Sequence, residues 1–222
     1  MKRAPPTSNR GWLLPSPTTV IGRLKKAFRK ETAFSGREMS AFQCLVGTVL
    51  SARTRDANTA KASEQLFSFY PTAEKLAKAP LKRIKKLVKP AGFYKTKARY
   101  VKRLSQMLLH DYGGRVPDTM EELLKFPGVG RKVAGCVLVY AFRKPAIPVD
   151  VHVFRGSHRL GWSNAKTPEE TEQELMRLIP KRDWIDVNNL LVLHGQNTCL
   201  PRNPKCGECV LNDICPSAFK KR

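Results

Sequence analysis

Apolar residues fall at Phe42, Leu45, Val46, Val49 and Leu50, the i, i+3, i+4, i+7, i+8 series of one helix face. From Ser40 onward this predicts a strongly apolar core helix, inside which Cys44 packs as a small hydrophobe. Ser51-Ala52-Arg53-Thr54-Arg55-Asp56 interrupts it, and Asp56 is a cap for the next helix, up to Tyr70 before Pro71. Short helices follow over 73–79 and 81–89, and Pro90-Ala91-Gly92 turns the chain. Ala98, Val101, Leu104, Leu108 and Tyr112 then stay in register until Gly113-Gly114 stops them. A basic helix over 20–30 precedes all of these. Later helices are predicted through His158, from Thr167-Pro168-Glu169-Glu170 to near Pro180, and from Trp184 to His194, closing on Gly195. Period-two alternation is almost absent, so the chain reads as all-α, with roughly ten helices and short links.

Between two such helices lies Phe126-Pro127-Gly128-Val129-Gly130-Arg131-Lys132. Upstream, Asp118 and Glu121 stand three apart as a capping box for a helix over 118–125. Downstream, Val133, Val137, Tyr140 and Ala141 carry a second helix to about Phe142. By itself Pro-Gly-Val-Gly is also what a plain tight turn looks like. Glycines entering a helix N-terminus nonetheless bring backbone N–H groups and a positive dipole end close to a partner, which suits a phosphate.

Charge changes the picture. Lys and Arg number 41 against 18 Asp and Glu, so the net charge is 41 − 18 = +23. A surplus of this size points to a polyanion, nucleic acid above all. It is also unevenly placed: residues 75–103 hold twelve Lys or Arg and no acid. Leu76, Leu81, Ile84, Leu87, Val88, Val101 and Leu104 are interleaved with them, so this is a folded basic face and not a tail. No apolar run is long enough to cross a bilayer, and Met1-Lys2-Arg3 leads into no apolar secretory stretch. A cytoplasmic, nucleoid-associated protein is expected; the acid-free first thirty residues leave an organellar or nuclear address open for a eukaryotic source.

Four of six cysteines crowd the end of the chain: Cys199, Cys206, Cys209 and Cys215, spaced C-x6-C-x2-C-x5-C. Without a secretion signal, thiols in this pattern read as metal ligands before disulfides. One C-x2-C pair with two outlying members fits an iron–sulfur cluster better than the paired knuckles of structural zinc. Arg202 and Lys205, between the first two ligands, would be held on a fixed surface ready for phosphate. Lys132, just inside the second helix, is also the residue type that forms a Schiff base. Asp150 caps the helix at Val151-His152-Val153-Phe154-Arg155, and a carboxylate there can face developing positive charge.

In order along the chain stand Leu123 to Ala134 (LLKFPGVGRKVA), Val149 to Arg155 (VDVHVFR), Leu193-His194-Gly195 and the four-cysteine tail. Together they resemble the endonuclease III family of the helix-hairpin-helix (HhH-GPD) DNA glycosylase superfamily, from about Ala33 to Cys215. The resemblance implies a two-domain all-α fold. A six-helix domain over 34–144 would carry the hairpin, residues 19–33 with 145–222 would form a [4Fe-4S] cluster domain, and 1–18 would be a mobile arm. A lesion would enter the cleft between the domains. It further implies a base-excision repair glycosylase and AP lyase acting as a monomer on double-stranded DNA with an oxidised pyrimidine, thymine glycol for example, or an abasic site. Lys132 would be the nucleophile, Asp150 the catalytic carboxylate, and Cys199, Cys206, Cys209 and Cys215 the cluster ligands. Gly128, Val129, Gly130, Arg131, His152, Arg202 and Lys205 would contact DNA. The family's wedge positions, Gln and Leu in better-known members, are Arg53 and Phe93 here, which leaves the reading of the opposite base open. Two alternatives stand: a monofunctional mismatch glycosylase of the same superfamily, whose branch lacks this lysine, and a non-catalytic helix-hairpin-helix DNA-binding protein.

Overall fold

A computed structural model describes residues 14–30 and 39–220, so most of the expected N-terminal arm lies outside the described residues. All regular structure among the described residues is helical. The chain divides into two compact units, Glu38–Lys144 on one hand and Met1–Arg37 with Pro145–Arg222 on the other.

The Glu38–Lys144 unit is built on α2 (Ala41–Ser51). Its apolar face is buried as the spacing predicts, with Leu45, Val46 and Leu50 fully shielded. Ser40 opens it with a reciprocal capping box to Gln43. Around α2 pack α3 (Asp56–Phe69), α6 (Tyr94–Tyr112) and α8 (Arg131–Phe142). The short α4 (Ala73–Lys78) and α5 (Leu81–Leu87) lie against α6, and the single turn α7 (Met120–Leu123) against α8. Cys44 is buried among these helices, and burial pushes its thiol up to about 11, so it packs as an inert apolar group.

Two predicted caps move by one residue. Asp56 is the first residue of α3, and Arg55 takes the cap position without a side-chain bond. The turn α7 is capped by Thr119, whose hydroxyl accepts from the Glu122 N–H, while Asp118 pairs with Lys144 at 2.6 Å. A hydroxyl one place later serves the cap equally well, and it frees the carboxylate for an ion pair. Tyr140, expected on the buried stripe of α8, is 42 % exposed; the buried run is instead Val133 through Val139.

The other unit gathers α1 (Pro17–Ala27), α9 (Val151–Arg159), α10 (Pro168–Leu178) and α11 (Trp184–Asn197) around Val20, Leu24, Val153, Leu175 and Leu190. Helix α1 starts at Pro17, earlier than the expected Val20, because Pro is suited to a first helical position. Residues 14–18, expected in the arm, belong to this packing: the Trp162 indole donates to the Pro15 carbonyl at 2.8 Å. The Thr167 capping box forms as predicted, and α11 continues past Gly195 to Asn197. No helix of the described residues is long and apolar enough to cross a membrane.

Candidate active site

The hairpin is fixed from below. Phe126 and Val129 are buried, the Phe126 ring stacks 5.2 Å from Tyr112, and the Val129 N–H donates back to the Phe126 carbonyl at 3.1 Å. Val129 therefore spends its amide inside the turn, against the expectation that it faces a ligand. The exposed Gly128 and Gly130 N–H groups have no hydrogen-bond partner among the described residues. Gly130 is the N-cap of α8, and the first turn of α8 holds Arg131 and Lys132 and no acid. Lys132 is half-buried there, close to the two free amides in sequence.

Gly128 adopts φ +80°, and a Cβ there would stand 2.5 Å from Tyr100 Cδ2 on α6. The tyrosine ring thus occupies the space that only a glycine leaves. Gly128→Ala will destabilise the protein by about 2 kcal/mol, the left-handed strain and the overlap adding together. Urea titration of the two proteins checks this.

Arg53 and Phe93 are both exposed, Phe93 by 66 %, and both take positive φ, 51° and 57°. Phe93 is the N-cap of α6 and lies outside the core. Nothing in the sequence announces the left-handed backbone at either place. One of the twelve cations of the basic stretch departs from the expectation of a solvated face: Lys97 is only 5 % exposed.

In the other unit, Asp150 caps α9, its Oδ1 accepting from the His152 and Val153 N–H groups at 2.9 Å each. The second carboxylate oxygen makes no hydrogen bond among the described residues. His152 is half-buried and its Nδ1 accepts from Arg155 Nη2 at 3.1 Å, which leaves Nε2 to carry the proton of a neutral ring. Arg155 also donates to the Gly195 and Cys199 carbonyls. A Cβ on Gly195 would stand 2.6 Å from His152 Nδ1 and 2.8 Å from Arg155 Nη2. The glycine of the His194-Gly195 pair therefore has a steric reason: Gly195 makes room for the His152 and Arg155 side chains. His194 itself is buried, and burial together with Arg155 and Arg159 depresses its pKa to about 4.

Sequence reasoning missed Arg159. It is buried, and its guanidinium donates to the carbonyls of Cys199, Leu200 and Pro201 and, at 3.1 Å, to Cys199 Sγ. Its spacing gave no signal, because Arg155 and His152 stand on the same face at i−4 and i−7 and a basic helix face reads as solvated. Arg202 and Lys205, on the loop it holds, are exposed as predicted. Cys199, Cys206, Cys209 and Cys215 are unpaired thiols lining one cavity of about 850 Å³. Burial raises the pKa of Cys209 and Cys215, and their neighbouring thiols push in the same direction. Among the described residues no three His, Cys, Asp or Glu side chains converge closely enough for a single metal ion. Four thiols spread round one cavity fit a cluster whose corners are separate irons, and Arg159 already supplies a cationic donor to one sulfur.

Comparison with known proteins places these features in a family. Residues 46–181 match the HhH-GPD superfamily of base excision DNA repair proteins, and residues 199–215 match the iron–sulfur binding domain of endonuclease III. The chain is similar to endonuclease III of Thermotoga maritima, 47 % identical over 88 % of this chain and 92 % of that one. It is 35 % identical to endonuclease III of Escherichia coli K12, over 79 % and 83 % of the two chains. Among solved structures it resembles a trapped endonuclease III–DNA covalent intermediate, with a TM-score of 0.83 and 34 % identity over 90 % of this chain and 94 % of that one. The cofactor of the cysteine tail is accordingly a [4Fe-4S] cluster. The hairpin, the capped carboxylate and the cysteine tail thus have one common source: the chain belongs to the endonuclease III family of the HhH-GPD superfamily of base excision DNA repair proteins.

Proposed function

We propose that Lys132 is the nucleophile and Asp150 the catalytic carboxylate of this enzyme, a DNA glycosylase with AP lyase activity in base excision repair. The observation that carries the assignment is the start of α8, where Lys132 follows two exposed glycine amides in a helix turn free of acids. Those amides, with the positive end of the helix, take a DNA phosphate and so set the distance from backbone to sugar. The Lys132 amine attacks C1′ of the damaged nucleotide, and the C1′–N bond breaks with its electron pair leaving on the base. Asp150, whose second oxygen is uncommitted, stabilises the positive charge that develops at the sugar in that step. The ring C1′–O4′ bond then opens and gives a protonated imine with Lys132. The imine acidifies the C2′ protons; loss of one forms the C2′–C3′ double bond and expels the 3′ phosphate, which nicks the strand. The target base must first leave the stack, at a cost of a few kcal/mol that falls on weakly paired or distorted bases.

The substrate in this reading is double-stranded DNA carrying an oxidised pyrimidine, of which thymine glycol is the type, or an abasic site. Arg53 and Phe93 act as wedges that fill the gap left by the extruded nucleotide, for which exposure on left-handed turns suits them. Arg131, His152, Arg202 and Lys205 contact phosphates, Val129 only supports the hairpin, and the protein works as a monomer. The Glu38–Lys144 unit is the hairpin domain; the unit containing α9 and α11 is the iron–sulfur domain, in which Cys199, Cys206, Cys209 and Cys215 hold the cluster. When bound, the cluster supplies a rigid anchor for the loop bearing Arg202 and Lys205. Incubation with a thymine-glycol duplex will give the β-elimination nick, and affinity will fall on the order of a thousandfold between about 50 and 200 mM salt. A nick without salt dependence, or steep binding with no nick on any oxidised pyrimidine, would refute the reading.

A further inference from the structure

Lys97 is a buried ammonium held by two backbone carbonyls and one hydroxyl, with no carboxylate among these three acceptors. Its Nζ donates to the Leu50 carbonyl at 2.7 Å, to the Ala52 carbonyl at 2.6 Å and to Thr54 Oγ1 at 2.7 Å, so each of its three protons has an acceptor. Two of these acceptors are carbonyls at the C-terminal end of α2, where the helix leaves such groups without partners. The third, Thr54 Oγ1, also accepts the Gly92 N–H at 3.1 Å. One ammonium and one hydroxyl therefore connect the end of α2, the loop bearing Arg53 and the turn bearing Phe93. The approach is close: a Cβ on Gly92 would stand 3.1 Å from the Arg53 carbonyl oxygen.

The two residues so flanked hold the left-handed backbone that side chains seldom adopt, Arg53 at φ 51° and Phe93 at φ 57°. Such conformations persist where the surroundings over-determine them. Burying an ammonium is costly, and a plain structural filler here would be apolar. The same helix face continues the arrangement. Phe93, Lys97 and Tyr100 stand at i, i+4 and i+7 along α6, and Tyr100 is the ring that fills the space over Gly128 of the hairpin.

We propose that Lys97 is a positioning residue that holds the Arg53 loop and the Phe93 turn as one rigid two-pronged wedge, set on α6 at a fixed distance from the hairpin. Lys97 touches no DNA in this role; it acts through the two prongs. The inference rests on the wedge role proposed above for Arg53 and Phe93. With the prongs uncoupled, phosphate binding by the hairpin and imine formation by Lys132 survive, but displacement of the stacked base opposite the extruded nucleotide does not.

The test uses the full-length protein with its cluster and two DNAs containing an abasic site: a duplex with 2-aminopurine opposite the site, and the unpaired single strand. In Lys97→Met the 2-aminopurine fluorescence rise on binding will be lost, and borohydride trapping on the duplex will slow about tenfold or more. Trapping on the single strand, where no opposite base has to be displaced, will be unchanged. Circular dichroism and the visible absorption of the cluster establish that the fold is intact; should Lys97→Met not fold, Thr54→Val, which removes the shared hydroxyl alone, carries the same test. A folded variant with wild-type fluorescence and duplex trapping would overturn the proposal, as would equal slowing on both DNAs, which marks a general loss of fold. Phe93→Ala separates the two layers: a full fluorescence rise in Phe93→Ala removes the wedge reading itself, whereas a loss there with none in Lys97→Met removes only the role of Lys97.

Discussion

Lys132→Gln will bind abasic and thymine-glycol duplexes yet form no borohydride-trapped adduct, with the single-turnover rate of strand nicking down by at least about a thousandfold, as expected on removal of a covalent nucleophile. Glutamine is polar, unbranched and one heavy atom shorter than lysine, and it is nearly as good a helix former, so the first turn of α8 is preserved. What is lost is the amine. An amide nitrogen is not a nucleophile and cannot form an imine. One positive charge out of a surplus of +23 also disappears, so the salt dependence of binding shifts by no more than about one unit of slope. Lysine at this place has the additional property that its two preceding glycines present free amides, so binding and chemistry are separable by mutation.

Asp150→Asn will have the second large effect, slowing base release by about a hundred- to a thousandfold while leaving the fold in place. The argument turns on two functions of one side chain. As a cap, Asp150 uses a single oxygen to accept two N–H groups of α9, and the amide oxygen of asparagine accepts them equally well. As an anion, it stabilises positive charge on the sugar, and a neutral amide does so poorly. Asp150→Ala loses both and will cost about 1 kcal/mol of stability besides. Comparing thermal unfolding with the rate of base release in the two variants separates the cap from the charge. A rate for Asp150→Asn close to wild type would show that the carboxylate only caps the helix.

Much of this was legible in the chain. The apolar face of α2, the register of α6 up to Gly113 and the capping box at Thr167 follow from spacing and local chemistry, and all three stand as predicted. The cap at Asp118 moved because Thr119, a neighbour of similar capping ability, competes for the position, and that at Asp56 moved because periodicity does not fix a helix end to the residue: α3 starts on Asp56 itself, with Arg55 making no side-chain cap. Lys97 was illegible for another reason. In a run of twelve cations without an acid, every lysine reads as solvated, and only tertiary packing brings the carbonyls of α2 to one of them. The clamp of Arg159 on the Cys199 loop, 40 residues away, is invisible to local pattern for the same reason. The cysteines stand out by their spacing alone, whereas the role proposed for Lys132 comes from the resemblance of the whole set of motifs and not from its own spacing. Val129 needed the fold: its amide is consumed by the turn it helps to make.

Mass mapping of the wild-type adduct bears most directly on the central claim. The protein is trapped with borohydride on a thymine-glycol duplex, digested, and the peptide bearing the reduced sugar is sequenced. The account predicts a single modified residue, Lys132, on the peptide that begins α8, and no adduct in Lys132→Gln. An adduct on another amine, or one undiminished in Lys132→Gln, would contradict it.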